Sequence, residues 1–366
     1  MSTANVHALS FVPCKEAVYD VLRAGLVPMV TASPGVGKSA LAAEIAKERN
    51  LLLIDLRLSQ SDPTDLNGFP FINKSGTKAG YVPMDTFPIE GDSLPWKVEP
   101  TFTAGTTEIA TTGEKYAGWF LLLDEFNSAP MSVQAAAYKL VLDKQVGMHK
   151  LHDKVAIMCA GNLATDNAIV NRTSTAMQSR LIHLELLVKP SEWLDWGYKN
   201  GIDYRVLGFI AFRDDLLHKF DANHNDKTFP CSRTWEFVSK IIKPWAKVES
   251  KKLPILAGTV GTGAATEFKA FCDVYGEIPT IQEIINNPLG VPIKDDPSVS
   301  FALSALVSGH MELTKQDDMD QLIKFTNRLA VEFQVITFQG AIKRDRKIAD
   351  CPAIDKWLNE NYQDLL

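Results

Sequence analysis

The chain has 366 residues, 46% of them apolar and 22% charged. That composition excludes a disulfide-stapled miniature fold and a wholly disordered chain, and it allows an α/β domain with a helical appendage. Lys and Arg number 38 against 44 Asp and Glu, a net charge of −6, so no global attraction to nucleic acid is expected. No apolar run approaches the width of a bilayer, and Met1 to Phe11 lacks the basic start and apolar middle of an export signal; no membrane partner is expected and the cytoplasm is the expected compartment. Cys14, Cys159, Cys231, Cys272 and Cys351 are scattered and form no C-x-x-C pair, which argues against a disulfide framework and a zinc site.

Short apolar runs alternate with amphipathic stretches through the first half. Strands are expected at Met29 to Ala32, Leu51 to Leu56, Trp119 to Leu123, Val155 to Ala160 and Leu181 to Val188. Most are apolar on both faces, as strands of a parallel sheet covered by helices on each side must be. Helices are expected at Ser39 to Arg49 and Ser132 to Lys144, each with one apolar stripe.

The connection from Gly68 to Gly118 is too long to be a turn and reads as an insertion at about 69–118. Within it, Phe69 to Ile72 and Tyr81 to Val82 look like a hairpin, whereas Glu90 to Lys115 matches no pattern. Beyond Pro190 the strand signals fade: Tyr204 to Phe220 and Arg233 to Lys247 have helical spacing, and the rest is helical in pieces broken at Pro279, Pro288 and Pro292. The expected division is an α/β domain at 1–188, a helical lid at 189–247 and a helical extension at 248–366. Gly258 to Gly263 follows no strand and carries no lysine, so a flexible loop is expected there. His149 and His152 read as a solvated turn, and Trp193, Trp196, Trp235 and Trp245 as helix-packing residues of the lid.

Ala32-Ser33-Pro34-Gly35-Val36-Gly37-Lys38-Ser39 lies between the first strand and its helix, the context a phosphate-binding loop requires. Backbone N–H groups from Ser33 to Ala40 would surround a β-phosphate, Lys38 would reach the β/γ oxygens, and the Ser39 hydroxyl would ligate Mg²⁺. The loop departs from G-x-x-x-x-G-K-[ST] only at its first glycine, here Ala32. Phe120 to Glu125 is an apolar strand ending in two acids, with Asp124 suited to hold Mg²⁺ and Glu125 to act on the attacking water as a general base. Val155 to Ala160 runs into Gly161-Asn162, placing an amide at the sheet edge where open α/β sheets bind ligands; Asn162 would orient that water.

These segments, together with Phe126-Asn127-Ser128-Ala129-Pro130 and Ser61-Asp62-Pro63-Thr64-Asp65-Leu66-Asn67-Gly68, resemble the MoxR-type AAA+ ATPases over roughly residues 12 to 247. The resemblance implies a P-loop AAA+ core with a parallel sheet, then an α-helical lid, ATP and Mg²⁺ as ligands, and a homo-oligomer of six subunits. It places an arginine finger at Arg180, just before the last strand, with Arg172 as a second candidate, and a nucleotide-contacting arginine at Arg233 in Pro230-Cys231-Ser232-Arg233. Ser232 would cap the helix that follows. Where the family carries an acid before the finger, this chain has Ser179. The implied work is remodelling of a protein client, alongside a von Willebrand A-domain partner. A nucleic-acid motor and a nucleotide-gated scaffold are alternatives sharing the same core; DNA-stimulated turnover would mark the first, and nucleotide-dependent oligomers with negligible hydrolysis the second.

Overall fold

A computed structural model describes residues 7–103, 106–163, 171, 175–221, 227–274 and 278–361. The chain divides into two compact units, Met1–Leu187 and Val188–Leu366. Among the described residues, no helix is long and apolar enough to cross a membrane.

The first unit begins with α1 (Phe11–Arg23), β1 (Val27–Ala32), α2 (Lys38–Glu48) and β2 (Leu51–Arg57). After a short α3 (Pro63–Asn67), two antiparallel hairpins follow: β3 (Phe69–Ile72) with β4 (Ala79–Val82), and β5 (Trp96–Thr103) with β6 (Thr106–Lys115). The first is the expected hairpin; the second fills the stretch that showed no sequence pattern. The unit closes with β7 (Gly118–Asp124), α4 (Met131–Asp143), the small pair β8 (Gln145–Val146) and β9 (His149–Lys150), β10 (Val155–Asn162), α5 (Thr175–Gln178) and β11 (Leu181–Glu185).

Five strands make one sheet in the order β11-β1-β10-β7-β2, with every pairing parallel. Counted along the chain that order is 5-1-4-3-2, the P-loop AAA+ arrangement. Strand alternation sends side chains to two cores. Leu121 and Leu123 of β7, with Ile157 and Cys159 of β10, face α4. Phe120, Leu122, Met158 and Ala160 face α1 and α2. Every residue of β7 is buried, whereas the edge strands β2 and β11 are partly exposed, so the continuous apolar signal is strongest at the centre. The same alternation continues past the apolar residues and turns Asp124 and Asn162 toward α2, which is how a packing rule comes to assemble a polar site.

The second unit contains α6 (Pro190–Lys199), α7 (Tyr204–Phe212), α8 (Ser232–Ile242), α9 (Leu253–Val260), α10 (Thr262–Val274), α11 (Ile281–Asn286), α12 (Pro297–His310), α13 (Gln316–Thr326), α14 (Val331–Arg344) and α15 (Pro352–Asn361). One apolar core runs through it, from Trp193 to Trp357. Phe209, Trp235 and Phe268 meet at its centre with ring separations of 5.3 to 5.5 Å, and the Trp235 indole N–H donates to Leu216 O at 2.8 Å. Trp193 is buried, and Trp196 and Trp245 pack half-buried against the core.

Several local expectations are corrected. The helix expected at Tyr204 to Phe220 stops at Phe212, because Arg213 leaves helical geometry and the next residues tighten into a 3₁₀ turn at Asp214–Leu216. Gly258 to Gly263 is no loop: Gly258 lies inside α9 and Gly263 inside α10, and only Gly261, at φ +84°, breaks the path. Buried Leu256, Val260, Ala264, Ala265 and Phe268 keep helical spacing across the break, and their packing outweighs the glycines' low propensity. Ser232 is the first helical residue rather than the cap; Cys231 takes the cap position, with its N–H donating to Thr234 Oγ1 at 2.8 Å. His149 and His152 are half-buried, not solvated: His149 Nε2 lies 3.1 Å from Tyr81 O, and the His152 ring packs on Trp119 at 4.9 Å.

Candidate functional site

β1 is flanked by β10 and β11, and the chain leaves its C-terminal end through Ser33 to Gly37 to enter α2. Gly35 has φ +78° and Gly37 φ +114°, left-handed values that glycine adopts without the cost a side chain brings. With Gly37 as its cap residue, α2 points its N-terminal N–H groups and the positive end of its dipole into the loop. Ala32, in place of the motif's first glycine, is fully buried, pairs with Asn162 as an ordinary strand residue and has no positive φ. A methyl group is therefore accommodated there, and the loop's curvature falls on the two glycines that remain.

Lys38 and Ser39 open α2 on the side of the loop. The Lys38 ammonium donates to Ala32 O at 2.9 Å, to Ser33 O at 3.3 Å and to Asn162 Oδ1 at 3.1 Å. The Ser39 hydroxyl donates to Asp124 Oδ2 at 3.1 Å. Thus Lys38, Ser39, Asp124 and Asn162, drawn from α2, β7 and β10, meet at the C-terminal edge of the sheet. The hydroxyl and carboxylate of Ser39 and Asp124 are hard oxygen donors already within contact of each other, and they fit the small donor set that Mg²⁺ takes from a protein while phosphates and water fill its other positions.

Glu125 follows Asp124 in a left-handed conformation, φ +54° and ψ +33°, which turns the chain sharply off the strand. That geometry is uncommon for a residue with a side chain and redirects its carboxylate away from the strand's alternation. Glu125 N–H donates to Asp124 Oδ1 at 2.8 Å, and the Ser59 hydroxyl donates to Glu125 Oε2. Ser59 sits in the 3₁₀ turn Leu58–Gln60 after β2, anchored by the fully buried Leu58. On β2 itself, Asp55 shares the α2-facing side with Asp124, and its carboxyl is pushed above the usual carboxylate range by burial and then by the Asp124 charge, with Arg57 opposing.

The remaining positions are dispersed. Arg180 is exposed and immediately precedes β11, whose Leu181 pairs with Val27 at the start of β1. It therefore stands at the opposite end of β1 from the loop, a separation on the order of 16 Å for five strand steps. Arg233 is exposed in the first turn of α8 in the second unit. Arg172 lies outside the described residues. Sequence reasoning passed over Ser59, Asp55 and Asn127. The last donates from Nδ2 to Asn162 O at 2.7 Å and accepts at Oδ1 from Asn162 N at 3.0 Å.

No protein-family model matches the chain. No curated protein matches it. Solved structures similar to it include a point mutant of RuvB from Thermotoga maritima, 13% identical with a TM-score of 0.36 over 78% of this chain and 80% of that one. A putative ATPase from Cytophaga hutchinsonii is 14% identical with a TM-score of 0.33, covering 96% of this chain and 89% of the other. The T. maritima RuvB Holliday junction branch migration motor is 15% identical with a TM-score of 0.33, over 76% and 75%. Likenesses at this level add nothing to what strand order and site geometry establish: the chain has a P-loop AAA+ fold with a helical second unit.

Proposed function

We propose that the chain is a MoxR-like, Mg²⁺-dependent ATPase that works as a homo-oligomeric ring to remodel a protein client. The observation that carries the catalytic part is the meeting of Lys38, Ser39, Asp124 and Asn162 at one sheet edge, within 3.3 Å of their partners. The loop from Ser33 to Ala40 binds the β-phosphate through backbone N–H groups, and Lys38 exchanges its loop carbonyls for β- and γ-phosphate oxygens. Mg²⁺, held by Ser39 and Asp124, would supply charge neutralisation on those oxygens. Glu125 accepts the proton of the attacking water, and Asn162 orients that water.

The location of Arg180 supports action across a subunit interface. A guanidinium at the far end of β1 is out of reach of its own chain's loop, so as a finger it serves a neighbour. An interface joining one end of a subunit to the opposite end of the next is head-to-tail and closes into a ring when its rotation permits, here a hexamer by the sequence resemblance. Arg233 is assigned to the nucleotide, the residues at 189–247 to the lid, and the client and a von Willebrand A-domain partner to the work of the ring, all on that same resemblance. Lys38→Ala abolishes binding of a fluorescent ATP analogue, whereas Glu125→Gln retains binding and lowers turnover by about 10²–10⁴-fold. Undiminished binding in Lys38→Ala overturns the loop assignment. Equal loss of binding in both variants removes Glu125 from the role of base.

A further inference from the structure

Resting on the ATPase reading, we propose that Asn127 is a positioning residue whose side-chain amide acts as an extra rung of the sheet and fixes Asn162 against Lys38. On its β1 side, β10 remains paired as far as Ala32 with Asn162. On its other side the pairing with β7 ends earlier, at Leu123 with Cys159, because β7 stops at Asp124 and the chain turns away at Glu125. The backbone N–H and C=O of Asn162 would otherwise extend past the last strand partner. Asn127 meets both: Nδ2 donates to the carbonyl at 2.7 Å and Oδ1 accepts from the N–H at 3.0 Å. A primary amide alone among side chains offers a donor and an acceptor side by side at peptide spacing, so it can imitate a neighbouring strand.

Two further features belong to the same device. A Cβ at Gly161 would lie 2.5 Å from Asn127 Oδ1 and 2.6 Å from Met29 Cε, so glycine is what lets the amide lie against the strand. Asn127 is 7% exposed and is itself held, its carbonyl accepting from Asn171 N–H at 2.7 Å. Asn162 in turn accepts from Lys38 at 3.1 Å. A polar path therefore runs from the turn after Glu125, through Asn127 and Asn162, to the lysine of the loop.

The test uses the whole chain, as wild type, Asn127→Ala, Asn127→Asp, Asn162→Ala and the Asn127→Ala/Asn162→Ala pair. Asn127→Asp keeps shape and acceptor but sets a second oxygen against the Asn162 carbonyl. Amide hydrogen exchange in nucleotide-free protein is read at Asn162, alongside fluorescent-nucleotide affinity and steady-state ATPase. Loss of the acceptor accelerates exchange at Asn162 about tenfold in Asn127→Ala, whereas Asn127→Asp, which still accepts from that N–H, changes it less; the β1 and β7 amides are unchanged in both. Nucleotide affinity stays within about threefold while kcat falls about a hundredfold, and the double variant is no slower than Asn162→Ala, as expected for residues acting in series. Unchanged exchange at Asn162 in a folded Asn127→Ala protein, undiminished kcat in Asn127→Asp, or additive losses in the double variant overturns the proposal. A wild-type chain that binds no nucleotide and hydrolyses no ATP overturns the ATPase reading instead, and the exchange result still decides whether Asn127 holds Asn162.

Discussion

Two cations held by backbone carbonyls show how differently the two units use polar groups. In the second unit Arg205 is 7% exposed; it pairs through two N–H groups with Asp203, itself 6% exposed, and donates to Trp245 O and Ile242 O. Those contacts tie the start of α7 to the end of α8 and engage four of the guanidinium's five N–H donors within the fold. In the first unit Lys38 rests half-buried on Ala32 O, Ser33 O and Asn162 at the sheet edge, beside the N-terminus of α2. Burial with a carboxylate partner makes a brace. A half-buried lysine in a loop of left-handed glycines makes a receptor for anions.

The comparison breaks most easily at Arg180, where the largest loss of turnover after the Lys38 and Glu125 variants is expected. Arg180→Ala leaves ATP binding intact and lowers hydrolysis on the order of a thousandfold, as loss of an arginine finger does. Because the residue would serve its neighbour, mixing Arg180→Ala with Glu125→Gln subunits restores activity at interfaces that pair an intact Glu125 with an intact Arg180. Rate across a mixing series, with binding checked separately, measures this; near-normal turnover in Arg180→Ala rejects the assignment and moves Arg172 forward. Arg205→Ala gives the opposite phenotype. It strands Asp203 and costs about 3–5 kcal/mol in urea unfolding of the second unit, while Lys38→Ala costs only about 1 kcal/mol. If the two substitutions had similar effects on unfolding, the distinction between brace and receptor would be lost.

Legibility in the sequence followed the same division. The loop, β7 and β10 announce themselves because a buried parallel strand is a continuous apolar run, and the residue that ends it is the one that reaches the ligand edge. The β5–β6 hairpin did not, since Thr, Glu and Lys with few apolar residues leave no period to read. Gly258 to Gly263 misled because composition was weighed without the packing of Val260, Ala264 and Phe268 that overrides it. Asn127 was visible as a letter in a motif. Its task was not, because pairing with a residue 35 positions away exists only once β7 and β10 lie side by side.

The smallest expected effect is at Asp55, where the receptor's own electrostatics oppose the fold. Burial and the neighbouring Asp124 charge raise its pKa in the native state, whereas in the unfolded chain it returns to about 3.9. Between those values the native state binds more protons than the unfolded one, so stability falls as pH rises through the window and the penalty is complete above the native pKa. Asp55→Asn removes the charge and with it the penalty. At neutral pH the variant is therefore more stable than wild type, by no more than about 0.5 kcal/mol because the side chain is exposed and screened. As pH falls toward the unfolded value the two curves converge. Urea unfolding at a series of pH values measures the difference, and a variant less stable than wild type at neutral pH would show that the Asp55 charge is compensated within the fold. Mg²⁺ with nucleotide sharpens the result: a cation at Ser39 and Asp124 offsets the like charge beside Asp55, so the stability advantage of Asp55→Asn shrinks when both are added.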